Sequence, residues 1–328
     1  MSEAVPQGDQ PERKPTSVPP RSGKAGKRPA PARPAQRQKA SQLRQARARR
    51  NRIWAGASVG LIIVVVAILI VVATTGSSSG GGTPRQPAPA AAVQHITSVP
   101  LDTLVAATHQ VSNLSGAGVL TGAPLTSTTG GAAKPEILYI GAEFCPICAA
   151  QRWPLVVALS QFGTFTNLQK THSAVRDGNI QTLSFYGSTY NSPYFVFTPV
   201  ENTTNQPSGN FYKILENPTA EQNNLWSTIE AQFGQQQSYP FINIGGKYAL
   251  ITSQYPSTIL SGKSWDSIAS SIGDNTNTVG ASINASAAVL VKYICSMTNQ
   301  QPANVCQAVS SVTLPAAAVQ PQASKAGG

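Results

Sequence analysis

Four cysteines are the residues best equipped for chemistry in this chain: Cys145, Cys148, Cys295 and Cys306. The first two stand three apart in GAEFCPICAAQRWP, with Pro146 and Ile147 between them. A pair so spaced can be a structural staple, half of a metal site, or a thiol–disulfide exchange centre. A zinc site of the paired-knuckle kind wants a close pair on both sides. Here the second pair is separated by ten residues and lies almost 150 residues downstream, which argues against zinc. A staple closing so small a loop removes little entropy from the unfolded chain.

Exchange has a local mechanism. The run EILYIGAEF, residues 136–144, reads as a buried strand leading into the cysteines, and ICAAQRWPLVVALSQF carries apolar residues at helical spacing. Cys145 would then stand at a helix N-terminus, where free N–H groups and the macrodipole favour a thiolate. A lowered pKa keeps that sulfur nucleophilic near neutral pH. Pro146 suits the first turn, since its missing N–H has no helical partner there. Cys148, one turn on, is placed to resolve a mixed disulfide. Glu143 has three readings: a proton acceptor for Cys148, a charge that raises both thiol pKa values, or a solvated carboxylate at the strand end, with the last preferred. His172 lies in a polar stretch, reads as solvated, and is left out of the site.

Other elements must position this pair. An amphipathic helix is expected over residues 100–110 and strands over 180–186 and 194–200, with Pro199 marking a sheet edge or strand end. Pro154 sits inside the helix that follows the cysteines and is expected to kink or break it. A later helix opens at ENPTAEQ, with Asn217 as cap and Pro218 in its first turn. Strand 241–244, a Gly-Gly turn and strand 247–251 make a hairpin. Ser264 caps a short helix, and residues 283–297 form another with Asn284 as its cap.

Charge divides the 328-residue chain sharply. The 52 residues before Ile53 hold 14 Lys+Arg and 3 Asp+Glu, which accounts for the whole formal net charge of +11. The remainder is balanced, which argues against a nucleic-acid-binding domain there. Residues 54–73 read WAGASVGLIIVVVAILIVVA, an uncharged run of twenty residues, about 30 Å as a helix and long enough to cross a hydrocarbon core. RARRNR precedes it and TTGSSSGGG follows, so the positive-inside bias puts the N-terminus in the cytoplasm. A cleaved signal peptide fits poorly, because the basic region before the apolar run is too long. The expected order is a disordered basic cytoplasmic tail (1–52), a transmembrane helix (53–73), a flexible linker (74–92), an extracytoplasmic domain (93–314) and a disordered tail (315–328). The chain is thereby expected in the plasma membrane, single-pass, held by residues 53–73.

The blocks LYIGAEFCPICAAQRW and SYPFINIGGKY resemble the active-site strand and helix, and the proline loop and hairpin, of the thioredoxin superfamily. More narrowly, GAEFCPIC, SFYGSTYNSPY and SYPFINIGGKY resemble a membrane-anchored thioredoxin-like group catalogued as domain of unknown function 929. The resemblance implies an α/β, thioredoxin-like fold. That fold has a central mixed sheet flanked by helices, a helical insertion before the cis-Pro strand and a C-terminal helical extension. It implies Cys145 as attacking thiolate, Cys148 as resolving thiol, a cis Pro240 shaping the substrate groove, and a Tyr239 backbone that pairs with an extended substrate. Phe144 stands where thioredoxins commonly carry tryptophan, and Pro-Ile is neither of the familiar intervening dipeptides. Cys295 and Cys306 read as a structural disulfide, with a second redox pair as the alternative. The expected function is a membrane-anchored thiol–disulfide oxidoreductase acting on cysteine-containing exported proteins with an unidentified redox partner. It needs no metal and no cofactor. The alternative is a non-catalytic, disulfide-stabilised binding module on the cell surface.

Overall fold

The computed structural model describes residues 85–319, all within one compact unit that begins at Ser79. The basic tail, the apolar run 53–73, most of the linker and the last residues lie outside the described residues.

The strands are β1 (Gln86–Pro87), β2 (Gly118–Val119), β3 (Thr126–Ser127), β4 (Lys134–Gly141), β5 (Thr164–Thr166), β6 (Gln169–His172), β7 (Gln181–Ser184), β8 (Thr189–Asn191), β9 (Val196–Glu201), β10 (Thr203–Ser208), β11 (Phe211–Ile214), β12 (Phe241–Ile244) and β13 (Tyr248–Leu250). The helices are α1 (Ala90–Thr97), α2 (Leu101–Thr108), α3 (Pro146–Leu159), α4 (Ala220–Gln232), α5 (Trp265–Ser271), α6 (Thr278–Met297) and α7 (Ala303–Ala308). This is a mixed α/β fold.

The central sheet runs β2-β13-β12-β4, with β3 and β9 both along the far side of β4. β9 is parallel to β4, with Gly141 opposite Glu201, and β12 is antiparallel to it, with Phe241 opposite Ile140. The EILYIG run is apolar at consecutive positions because β4 is covered on both faces. Ile137 and Tyr139 face the larger core, built with α3 and α6, while Leu138 and Ile140 face a smaller one with Trp226 and Ile229 of α4 and Phe233 at its C-terminal cap. Among the described residues β9 pairs with β4 alone, so Pro199 lies on an edge strand where its missing N–H breaks no ladder. Gly245 and Gly246 take φ of 63° and 71° in the β12–β13 turn, a conformation a side chain would strain.

Several expectations are corrected. Residues 85–92 are not linker: Gln86 and Pro87 pair with β6, Ala88 N–H donates to Leu168 O at 2.9 Å, and α1 begins at Ala90. The start of the 315–328 tail is likewise pinned, because Gly116 N–H donates to Ala316 O and Ala318 N–H to Gly116 O. α3 runs unbroken through Pro154. Proline leaves the Ala150 carbonyl without its helical N–H, and the Tyr255 hydroxyl donates to it at 2.7 Å instead. α4 is capped by Thr219, whose capping box with Gln222 satisfies two orphan donors; Asn217 and Pro218 lie before it. α6 starts five residues earlier than expected, capped by Asn277. Asn284 is inside that helix and buried, accepting from Gly273 N–H and donating to Asn275. His172 is in β6 and buried rather than solvated, its Nδ1 2.6 Å from Ser173 O.

Among the described residues α6 alone is long and apolar enough to cross a membrane, but 89% of that stretch is buried, so it is a core helix.

Candidate functional site

Cys145 ends the turn after β4 and is the N-cap of α3. Its extended backbone (φ −77°, ψ 122°) turns the sulfur back over the helix start, where Sγ accepts the Cys148 backbone N–H at 3.3 Å. The thiol of Cys145 donates to the Tyr239 carbonyl at 3.7 Å. The Tyr239–Pro240 peptide bond is cis. The structure thus brings together Cys145, Cys148 and Tyr239, from segments almost a hundred residues apart. Cys145 and Cys148 both carry free thiols; Cys145 is 6% exposed and Cys148 fully buried.

The two sulfurs are electrostatically unlike. Hydrogen bonding from Cys148 pulls the Cys145 thiol below its ordinary value against the effect of burial, and the Cys148 N–H and the Arg152 guanidinium add to that. Burial pushes the Cys148 thiol well up, Cys145 pushes it further, and Arg152 works in the other direction. The outer sulfur is thus the easier of the two to ionise.

Glu143 is a buried residue, not a solvated strand end. Its carboxylate accepts from Arg85 Nη1 at 2.9 Å and from Ser184 Oγ at 2.6 Å. Burial and then the neighbouring Glu201 raise its pKa, against Ser184 and Arg85. It lines a cavity of about 140 Å³ with Arg85, Asn205 and Lys213.

Sequence reasoning missed Arg152, Glu201, Tyr139 and Arg85. Arg152 and Glu201 are fully buried and joined by two parallel bonds, Nε to Oε1 at 2.8 Å and Nη2 to Oε2 at 2.6 Å. Burial opposes the Arg152 charge, but Glu201 holds its pKa well up. Arg152 follows Cys148 by four residues, which on a helix puts both on one face; that spacing was a usable signal. Nothing local marks Arg85, 58 residues from its partner.

Around Cys145 the surface is aromatic. Phe144 stacks on Tyr212 at 4.3 Å and meets Phe211 and Tyr239 edge-on. Phe211 and Ile214 on β11, and Val175, are among the few large apolar side chains left exposed among the described residues.

Cys295 at the end of α6 and Cys306 in α7 are joined by a disulfide with Cα atoms 5.5 Å apart. Among the described residues no group of three or more His, Cys, Asp or Glu is placed to hold a metal ion.

The family model described as Domain of unknown function (DUF929) matches residues 128–296, slightly more than half of the chain. The chain belongs to this family. Within the DUF929 match lie Cys145, Cys148, Arg152, Glu201, Tyr239 and Cys295, whereas Arg85 and Cys306 fall outside it. No curated protein and no solved structure matches the chain.

Proposed function

We propose that this chain is a membrane-anchored, extracytoplasmic thiol–disulfide oxidoreductase with a thioredoxin-like fold. The observation that carries the reading is the placement of Cys145: a sulfur capping a helix, held by the Cys148 N–H at 3.3 Å, next to the Tyr239 carbonyl. A thiolate there is stabilised by the same N–H groups that a helix leaves unpaired. The fold reading is supported by the order β4, α3, parallel β9, α4, antiparallel β12 and β13, with β9-β4-β12-β13 adjacent in the sheet. The anchor and the side of the membrane rest on residues 53–73 and their basic flank.

The chemistry is two displacements. The Cys145 thiolate attacks one sulfur of a substrate disulfide, a mixed disulfide forms, and the other substrate sulfur leaves as thiolate and takes up a proton. Cys148 then gives up its proton and attacks Cys145 Sγ, expelling the second substrate sulfur. Two electrons pass from the Cys145–Cys148 pair to the substrate; run backwards, the same steps oxidise a substrate dithiol. The apolar surface of Phe144, Phe211 and Ile214 suits an unfolded, cysteine-bearing exported polypeptide.

The test is the full-length chain against a disulfide-bonded polypeptide such as insulin. Cys145→Ser is expected to lose turnover, and Cys148→Ser to accumulate mixed disulfides with its substrates. Wild-type turnover from Cys145→Ser overturns the proposal, and absence of exchange by the wild type favours the non-catalytic binding module.

A further inference from the structure

Resolution of the mixed disulfide requires Cys148 to lose a proton while enclosed in protein, where burial opposes its ionisation. The acid nearest in sequence, Glu143, already accepts one hydrogen bond on each oxygen, from Arg85 and Ser184. Two other buried groups near the start of α3 have atoms with no partner at all. Arg152 gives Nε and Nη2 to Glu201, but its Nη1 is buried with no partner. The Tyr139 hydroxyl is also buried with no partner. Unpaired buried donors are uncommon in folded proteins and call for an explanation.

The two side chains are neighbours in the core. The Arg152 guanidinium carbon is 5.9 Å from the centre of the Tyr139 ring. Tyr139 lies on the strand that leads into the cysteines, and its hydroxyl occupies the room left by Gly141: a Cβ there would stand 2.1 Å from it. Arg152 is one helical turn beyond Cys148 on α3. Arg152 lowers the pKa of both thiols, and both thiols in turn raise that of Tyr139.

Resting on the exchange reading above, we propose that Arg152 and Tyr139 are positioning residues for the resolving step. Glu201 clamps the guanidinium so that its third nitrogen, together with the Tyr139 hydroxyl, is held ready for the Cys148 thiolate. The groups coupled to Cys148 are Cys145 at the cap of α3, Arg152 on α3, Tyr139 on β4 and Tyr239 before Pro240; Glu201 on β9 and Glu143 in the turn before Cys145 couple to Arg152. Glu201 offsets the charge of Arg152, so the oriented N–H and O–H donors, rather than net charge, favour the anion. In the step itself, Cys148 loses its proton and its sulfur bonds to Cys145 Sγ. The Cys145–substrate bond breaks, and the departing substrate thiolate takes up a proton. Lysine cannot substitute, because its single ammonium would be taken by Glu201 and present no second, rigidly held donor.

The experiment is a stopped-flow reaction of the reduced full-length chain with dithiobis-nitrobenzoate. The first thionitrobenzoate released reports attack by Cys145 and the second reports resolution by Cys148. Tyr139→Phe and Arg152→Lys are each expected to slow the second release about tenfold, the scale of one lost hydrogen bond to a charged group, and to leave the first within about twofold. The pH profile of the second phase should move to higher pH in both. Tyr139→Phe removes a hydroxyl that has no partner, so it folds as wild type and decides the matter if Arg152→Lys does not fold. An unchanged second phase and pH profile in Tyr139→Phe overturns the inference. A wild-type chain that releases the first equivalent and never the second overturns the exchange reading, and this inference with it.

Discussion

The backbone N–H of Cys148 points at Cys145 Sγ across 3.3 Å, so the first turn of α3 closes onto the sulfur that caps it. That bond favours the thiolate over the thiol. The reactive form of Cys145 should therefore persist below the ordinary thiol range of about 8.5 and fade only as pH falls through its lowered value. Alkylation of the reduced chain at graded pH, with modified peptides identified by mass, checks this. Cys145 is expected to react and the fully buried Cys148 to stay unmodified until the chain unfolds. A Cys145 profile centred on the ordinary value would contradict it.

Glu143 supplies a prediction in acid. Burial raises its folded-state pKa above the unfolded value of about 4.3. In the window between the two values the native state binds more protons than the unfolded chain. Its contribution is thus fully present below the unfolded value and is lost as pH rises through the folded one. Glu143→Gln does not titrate. Denaturant unfolding of both proteins between about pH 4 and pH 7 should show the wild type losing stability relative to the variant as pH rises. Parallel curves would contradict the assignment.

Tyr255 is the residue that lets proline sit inside α3. Removing its hydroxyl with Tyr255→Phe strands the buried Ala150 carbonyl and should cost about 1–3 kcal/mol in thermal or denaturant unfolding. Adding Pro154→Ala should recover part of that loss, because the new N–H can donate to Ala150. A second variant with no recovery would mean that the loss comes from packing instead.

The Cys295–Cys306 bridge closes a short loop between α6 and α7. Replacing both residues with alanine should destabilise the fold by about 3 kcal/mol on the loop-closure estimate, with disulfide exchange at Cys145 retained. Loss of exchange in a still-folded variant would instead assign the pair a role in electron relay.

The parts of the fold legible in the sequence are those decided locally. Pro146 in the first turn of α3, Ser264 capping α5 and the Gly-Gly turn of the hairpin each state their structure within a few residues. The two-sided burial of β4 is written in consecutive apolar residues. The β10–β11 hairpin was not legible, since TTNQPS and FYKI carry neither a clean alternation nor an apolar run. Asn284 looked like a helix cap because asparagine favours caps. It lies in the helix interior because Gly273 and Asn275, distant along the turn, satisfy its amide there.

By itself the sequence determined the chemical pair, Cys145 and Cys148 at the start of a helix, because strand, proline and spacing act over one turn of chain. What surrounds the pair was decided only in three dimensions. Glu143 became a buried group through Arg85 and Ser184, 58 and 41 residues away. Arg152 met Glu201, and Tyr239 reached Cys145, only once β4, β9 and the loop before β12 had come together. Electrostatic environment is set by burial and by partners distant in the chain, and neither is encoded in the local pattern that marks a strand, a cap or a helix.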